Sequence, residues 1–209
     1  MLGKKKQVAR NALGAALILA FTAAPVAFAA DEKGWYMGAS LGQYKDDTSK
    51  DEIDAAFKAA GATNPSTTLD DTGDAWKLFG GYQFTKNWAV EFAYVDFGKV
   101  SADTTVTGGR YKIESTAKGW SLAGVGTAMV SDNLGLFGKL GVLSYEVDGK
   151  LSTVSGTAVN FNVSDSDTKA LYGAGLKYNL TKQMSLRAEW EQIEGGDDKL
   201  ITIGIQYKL

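Results

Sequence analysis

Histidine and cysteine are both absent from the 209 residues. Without cysteine there is no disulfide and no lipid-modified cysteine at an export cleavage site. Without histidine the chain lacks the usual general base of neutral-pH catalysis and the commonest ligand of catalytic zinc. No phosphate-binding glycine loop or dinucleotide fingerprint is present. Glu189 and Glu191, two apart, are the nearest approach to a carboxylate pair, and Arg187 beside them makes an ion pair the simpler reading. No catalytic residue, metal ligand set or cofactor is expected, and the chain reads as a non-enzyme.

Long hydrophobic runs are also missing, apart from one near the start. Lys4, Lys5, Lys6 and Arg10 precede the uncharged, mostly apolar stretch 12–24, and Ala27-Phe28-Ala29 follows. This is the order of a cleaved export signal. The stretch is shorter than the roughly 20 residues that span a bilayer. Residues 1–29 are therefore read as a signal peptide and 30–209 as one mature domain. Four of the 22 basic residues lie in the leader and none of the 24 acidic ones, which leaves 18 against 24, a net charge of −6. That balance offers nothing to a nucleic-acid partner.

What remains is alternation. Eight segments place apolar residues at every second position, the period of a strand. The apolar faces run Trp35, Met37, Ala39, Leu41; Trp76, Leu78, Gly80, Tyr82, Phe84; and Trp88, Val90, Phe92, Tyr94. They continue with Trp120, Leu122, Gly124; Leu134, Leu136, Gly138, Leu140; and Tyr172, Ala174, Leu176, Tyr178, Leu180. Met184, Leu186, Ala188, Trp190 and Ile201, Ile203, Ile205, Tyr207, Leu209 complete the set.

A soluble sheet would turn these faces inward. Two features favour the inverse. Trp35, Trp76, Trp88, Trp120, Tyr178, Trp190 and Tyr207 sit near the ends of the apolar faces, as interfacial aromatics do. The opposite faces are rich in glycine and small residues with few charges, which suits a narrow lumen. The reading is all-β: an eight-stranded antiparallel up-and-down transmembrane β-barrel. Turns 85–87, 131–133 and 181–183 are short, whereas connections 45–73, 99–114, 148–168 and 194–199 are longer and polar, as expected of periplasmic turns and external loops. The first loop carries a helix signal over 51–60 ending at Gly61, with Ile53, Ala56, Phe57 and Ala60 on one face, placed to cap the barrel mouth. Eight acids and three lysines between 45 and 74 make that loop a solvated acidic surface.

The mature chain resembles the transmembrane domain of the OmpA family along essentially its whole length. The resemblance is carried by Gly34-Trp35-Tyr36-Met37-Gly38-Ala39-Ser40-Leu41-Gly42, Phe79-Gly80-Gly81-Tyr82-Gln83-Phe84, and Glu91 with Tyr94 and Gly98. Lys139-Leu140-Gly141, Gly175-Leu176-Lys177-Tyr178, Arg187-Ala188-Glu189-Trp190 and the closing Gly204-Ile205-Gln206-Tyr207-Lys208-Leu209 extend it. It implies an outer-membrane barrel without a wide channel, whose interior ion pairs plug or gate the lumen. Glu91 and Arg187 match the family's interior acid and base, and Lys139 and Glu189 match further interior charges. Ser40 stands where a lysine is usual and Lys177 where an acid is usual, so the charge sites are exchanged. The family's periplasmic peptidoglycan-binding domain is missing from this sequence, and Leu209 replaces the usual terminal Phe of the assembly signal.

The implied partners are outer-membrane lipid and lipopolysaccharide, the barrel assembly machinery during biogenesis, and an unidentified surface ligand of the loops. Two roles remain open at this level. One is a structural surface protein of the envelope. The other is a narrow porin-like channel, for which Gly38, Gly42, Gly81, Gly141, Gly173, Gly175 and Gly204 leave room.

Overall fold

Eight strands pair each with the next, and the last closes on the first. The structure is a computed structural model that describes residues 33–195 and 198–209; the expected signal peptide lies outside the described residues. The ring consists of β1 (Gly34–Lys45), β3 (Thr72–Gln83), β4 (Trp88–Val106), β5 (Gly109–Met129), β6 (Leu134–Ser155), β7 (Phe161–Asn179), β8 (Met184–Ile193) and β9 (Lys199–Lys208). Every pairing in it is antiparallel, including the closing β1–β9 pair that sets Met37 opposite Tyr207. A short strand β2 (Ser66–Asp70) and a helix α1 (Lys50–Ala59) lie in the first long connection. No helix among the described residues is long and apolar enough to cross a membrane, and a barrel crosses with strands.

Alternation becomes two faces. Leu41 and Ile203 are 73% and 67% exposed on the outside, while Lys77, Glu91 and Thr202 are 1% exposed inside. Each large aliphatic side chain left in water forgoes about 1.5–3 kcal/mol of burial. An apolar exterior around a charged interior is therefore stable only against hydrocarbon. The seven aromatics singled out in the sequence all lie on this exterior. Trp35, Trp88, Tyr178 and Tyr207 stand at the short-turn end, and Trp76, Trp120 and Trp190 at the other.

The three short turns share one construction. The hydroxyl of Thr85 accepts from the backbone N–H groups of Asn87 and Trp88, and Thr181 does the same for Gln183 and Met184. Ser131 accepts from Leu134. A Ser or Thr at the head of such a turn satisfies donors that no strand partner reaches.

The long connections differ from expectation. Residues 99–114 and 148–168 are largely strand, because β4–β5 and β6–β7 continue as paired ribbons far past the apolar band. Pairing there needs hydrogen bonds but no lipid-facing side chains, so the hydrophobic alternation stops while the ladder does not. A bulge between Asp96 and Lys99, with Gly98 at φ +77°, marks the change of register in β4. With β2 added to β4, these ribbons form an outer sheet beyond the barrel.

Helix α1 forms where expected, shifted by one residue. Ser49 and Glu52 make a reciprocal capping box, a device worth about 1 kcal/mol. The helix packs on the outer sheet: Phe57 lies 5.6 Å from the Tyr111 ring, and Asp54 accepts from the Thr67 hydroxyl at 2.6 Å.

Candidate functional site: a lumen closed by two layers

The inward face of each strand can be read as a ladder from the short-turn end outward. Its middle rungs converge on six charges: Lys77 from β3, Glu91 from β4, Lys139 from β6, and Arg187, Glu189 and Glu191 from β8. The Arg187 guanidinium donates through Nη1 to Glu91 at 2.6 Å, across the barrel between non-neighbouring strands. Lys139 reaches Glu91 at 3.0 Å, Glu189 at 3.2 Å and Glu191 at 2.8 Å. Lys77 reaches Glu189 and Glu191, each at 2.5 Å. Three cations thus face three carboxylates, all at most 4% exposed. Burying ions is tolerable only with such neutral, multiply bonded pairing.

Aromatic rings hold the cluster in place. The Arg187 guanidinium is sandwiched between Phe79 and Phe137, 4.5 Å from each ring centre, a cation–π arrangement that strengthens where water is excluded. Phe79 lies opposite Gly38, Phe137 opposite Gly175, and Tyr36 opposite Gly81. A Cβ on any of these three glycines would run into the facing ring. Tyr36 in turn donates its hydroxyl to Glu91 at 3.1 Å. The room expected from lumen glycines is therefore taken. Rings fill it at Gly38, Gly81 and Gly175, and neighbouring backbone fills it at Gly42, Gly141, Gly173 and Gly204.

Of the charges singled out in the sequence, Glu91, Lys139, Arg187 and Glu189 are brought together. Lys177 stands opposite Arg187 in register, half-buried at the edge of a small lower cavity. Lys77 and Glu191 complete the cluster; Glu191 was read from the sequence as an ion-pair partner beside Arg187, whereas Lys77 carried no such role. Both were legible as inward-facing charges, but only the strand stagger shows that they reach the same point.

Above the charges lies a second layer that sequence reasoning missed. Tyr44, Ala75, Val95, Phe97, Leu143, Leu171, Ile193 and Leu200 form one buried apolar cluster, with Ala117 and Tyr145 packed against it. Every strand of the ring contributes, so the layer is a septum across the lumen. The signal was present on the inward faces, where Glu191 gives way to Ile193, Thr202 to Leu200 and Lys139-x-Gly141 to Leu143.

At the outer mouth, above the septum, carboxylate oxygens of Asp46, Asp47 and Asp198 lie within 4.8 Å of one another. Tyr44 donates to Asp198 at 2.8 Å. Burial and the two neighbouring carboxylates push the Asp198 carboxyl above the usual aspartate range, against the pull of the Tyr44 hydrogen bond.

An apolar exterior, aromatic ends, short turns on one side and a closed ring define an eight-stranded outer-membrane β-barrel protein. The model of the OmpA-like transmembrane domain matches residues 30–208, and the chain belongs to that family. The N-terminal β-barrel domain of Pseudomonas aeruginosa OprF superposes with a TM-score of 0.51 at 13% identity, covering 85% of this chain and 98% of that one. Ail of Yersinia pestis, solved with the heparin analogue sucrose octasulfate, gives 0.49 at 17% identity, covering 84% and 99%. OprG of Pseudomonas aeruginosa gives 0.49 at 14%, covering 85% and 97%. No curated protein matches the sequence.

Proposed function

We propose that this protein is a closed envelope barrel whose work is done by its outer sheet and loops, with a lumen that serves stability and not transport. The observation carrying this reading is the double obstruction: a six-charge cluster braced by rings, and an apolar septum fed by all eight strands. An ion entering from the short-turn side meets fixed charges that already face one another and then the apolar layer, and one entering from outside meets the same two layers in the reverse order. The reading is non-enzymatic, since the six lumen charges are taken up in ion pairs with one another. Export by a signal peptide cleaved after Ala29, insertion by the barrel assembly machinery, and lipopolysaccharide around the exterior complete the proposal. In this topology both termini and the short turns face the periplasm. A cysteine at Thr63 labels with an impermeant reagent on intact cells, and one at Lys182 does not.

The deciding experiment is conductance of the purified protein in a planar bilayer. Wild type is expected to give no sustained current. A steady wild-type current would overturn the closed-lumen reading in favour of a narrow porin-like channel.

A further inference from the structure

Beyond the barrel, the sheet of β2, β4, β5, β6 and β7 is open, and its two edges differ. The β2 edge is short, Ser66–Asp70, with helix α1 bonded to it through Asp54 and Thr67. The β7 edge is longer. From Phe161 to Thr168 the strand pairs with β6 alone, because its pairing with β8 begins only at Leu171. Every residue of that stretch is exposed. At about 3.4 Å per residue it forms a free edge of roughly 25 Å. Such edges are usually blunted by lysine, proline, a bulge or shortness. Phe161-Asn162-Val163-Ser164-Asp165-Ser166-Asp167-Thr168 contains neither lysine nor proline and pairs with β6 in unbroken register.

Three contacts fix where its backbone groups point. The Ala170 carbonyl accepts from the Glu194 N–H, on the side away from β6. The N–H groups of Ser166 and Thr168 donate to the carboxylates of Asp165 and Asp167 at 2.9 and 2.7 Å. Even-numbered residues therefore turn both backbone groups to the free edge. The carbonyls of Asn162, Ser164, Ser166 and Thr168, and the N–H groups of Asn162 and Ser164, have no strand beside them among the described residues. The odd-numbered side chains share one face, which continues down to Leu171 in the septum. Along that face the edge is apolar at its tip, through Phe161 and Val163, and acidic nearer the barrel, through Asp165 and Asp167.

We propose that this edge docks an extended basic segment of another protein, which adds to the outer sheet as an antiparallel strand. A row of carbonyls at every second residue is matched by the N–H row of an extended chain. Antiparallel order then dictates the guest's side chains. Two basic residues opposite Asp167 and Asp165 come first and two apolar ones opposite Val163 and Phe161 follow, with one residue between each. A lysine that takes over the Asp165 carboxylate also frees the Ser166 N–H for the guest's carbonyl. A second copy of this chain fits poorly, because pairing about a two-fold sets Val163 against Asp165 or Asp167. The proposal rests on the reading of the outer sheet as the working surface. Conductance probes the lumen separately, so failure of either reading leaves the other standing.

The test is fluorescence anisotropy of the peptide fluorescein-TKTKTVTV-amide with the full chain refolded in zwitterionic micelles, protein-free micelles serving as the blank. Heat-modifiable gel mobility confirms folding of each variant. The expected result is saturable binding. The reversed sequence VTVTKTKT has the same charge but sets valine against the aspartates, and it should bind at least roughly tenfold more weakly. N-methylation of the threonines, whose N–H groups face the edge, should weaken binding as much, since main-chain hydrogen bonds carry the affinity. Ser164→Pro should do the same, and its N–H is not part of the β6 ladder, so the sheet keeps its hydrogen bonds. Val163→Arg takes the place of the proline variant if that one fails to refold. Absence of saturable binding overturns the proposal. Equal binding of the reversed or N-methylated peptide assigns the effect to charge alone and overturns it too. Self-association of the wild type that Ser164→Pro abolishes would make a second copy the occupant, against the proposal.

Discussion

Lys139 meets Glu91 at 3.0 Å inside the barrel, with both side chains fully covered. Lys118 meets Glu146 at 4.0 Å on the outer sheet, with the side chains 52% and 51% exposed. The residue types are the same and the consequences differ. On the outer sheet water screens the pair and competes for both partners, so removing it changes little. Inside the lumen the surroundings cannot replace a lost partner, and each charge is there only because the others are. The barrel and the outer sheet are one continuous ladder of hydrogen bonds built in two solvents.

The largest expected effect breaks the inner set. Glu91→Ala should cost about 3–5 kcal/mol, because Arg187 loses its hydrogen-bonded carboxylate and Lys139 loses one of its three in a site that excludes water. Urea unfolding in micelles, followed by gel mobility, measures it. Adding Arg187→Met should recover part of the loss, since an apolar side chain between Phe79 and Phe137 needs no counter-charge. Glu146→Ala on the outer sheet should cost less than about 1 kcal/mol. Similar losses at Glu91 and Glu146 would show that water reaches the lumen cluster freely.

The same contrast can be drawn with apolar side chains. Ile203 is 67% exposed on the barrel and Val163 is 55% exposed on the outer sheet. Ile203→Arg should cost roughly 2–4 kcal/mol near the bilayer midplane. Val163→Arg should stay within about 0.5 kcal/mol, because its surroundings are already aqueous. Equal tolerance at the two sites would place the membrane boundary elsewhere.

Glycines sharpen the comparison further. A Cβ at Gly38 collides with the Phe79 ring and the Ile205 carbonyl, whereas one at Gly149 on the outer sheet finds its nearest atom at 3.8 Å. Gly38→Ala should cost on the order of 1–3 kcal/mol through displacement of the ring that braces Arg187. Gly149→Ala should be neutral or stabilising by up to about 1 kcal/mol, since alanine leaves less backbone freedom to lose. Thermal midpoints of the refolded variants separate the two.

The smallest effect concerns pH at the mouth. Asp198 holds its proton more tightly in the folded chain than an ordinary aspartate does. The folded state therefore binds more protons than the unfolded one in the window above the usual aspartate range. Stability from this site is present below that range and declines as pH rises through the raised value. Asp198→Asn should flatten this dependence and leave the lumen cluster untouched, as read from urea midpoints across the acid range.

Most of the ring was legible in the residues, because two requirements acted on every strand at once. Lipid demands apolar side chains on one face, and the narrow lumen demands small or paired ones on the other. Leu136 and Gly135 show the pattern as clearly as Ile203 and Thr202. The outer ribbons were not legible in this way. Residues such as Ser115, Thr116, Asp148 and Ser164 face water on both sides of a sheet, and polar residues in water carry no period of two. Strand identity there comes from the neighbour across the ladder.

The candidate site divides along the same line. That Glu91, Lys139, Arg187 and Glu189 face inward follows from alternation alone, since a one-residue slip would put each of them into lipid. That Lys77 and Glu191 join them and that a septum lies above them depends on how far each strand is staggered around the ring. Stagger is set by closure of the whole barrel, through tilt and shear shared by eight strands. Residues distant in sequence, such as Tyr44, Leu143 and Leu200, become one layer only when the last strand pairs with the first. Which way a side chain points is a local property of the strand, whereas the level it reaches in the lumen is a property of the closed ring.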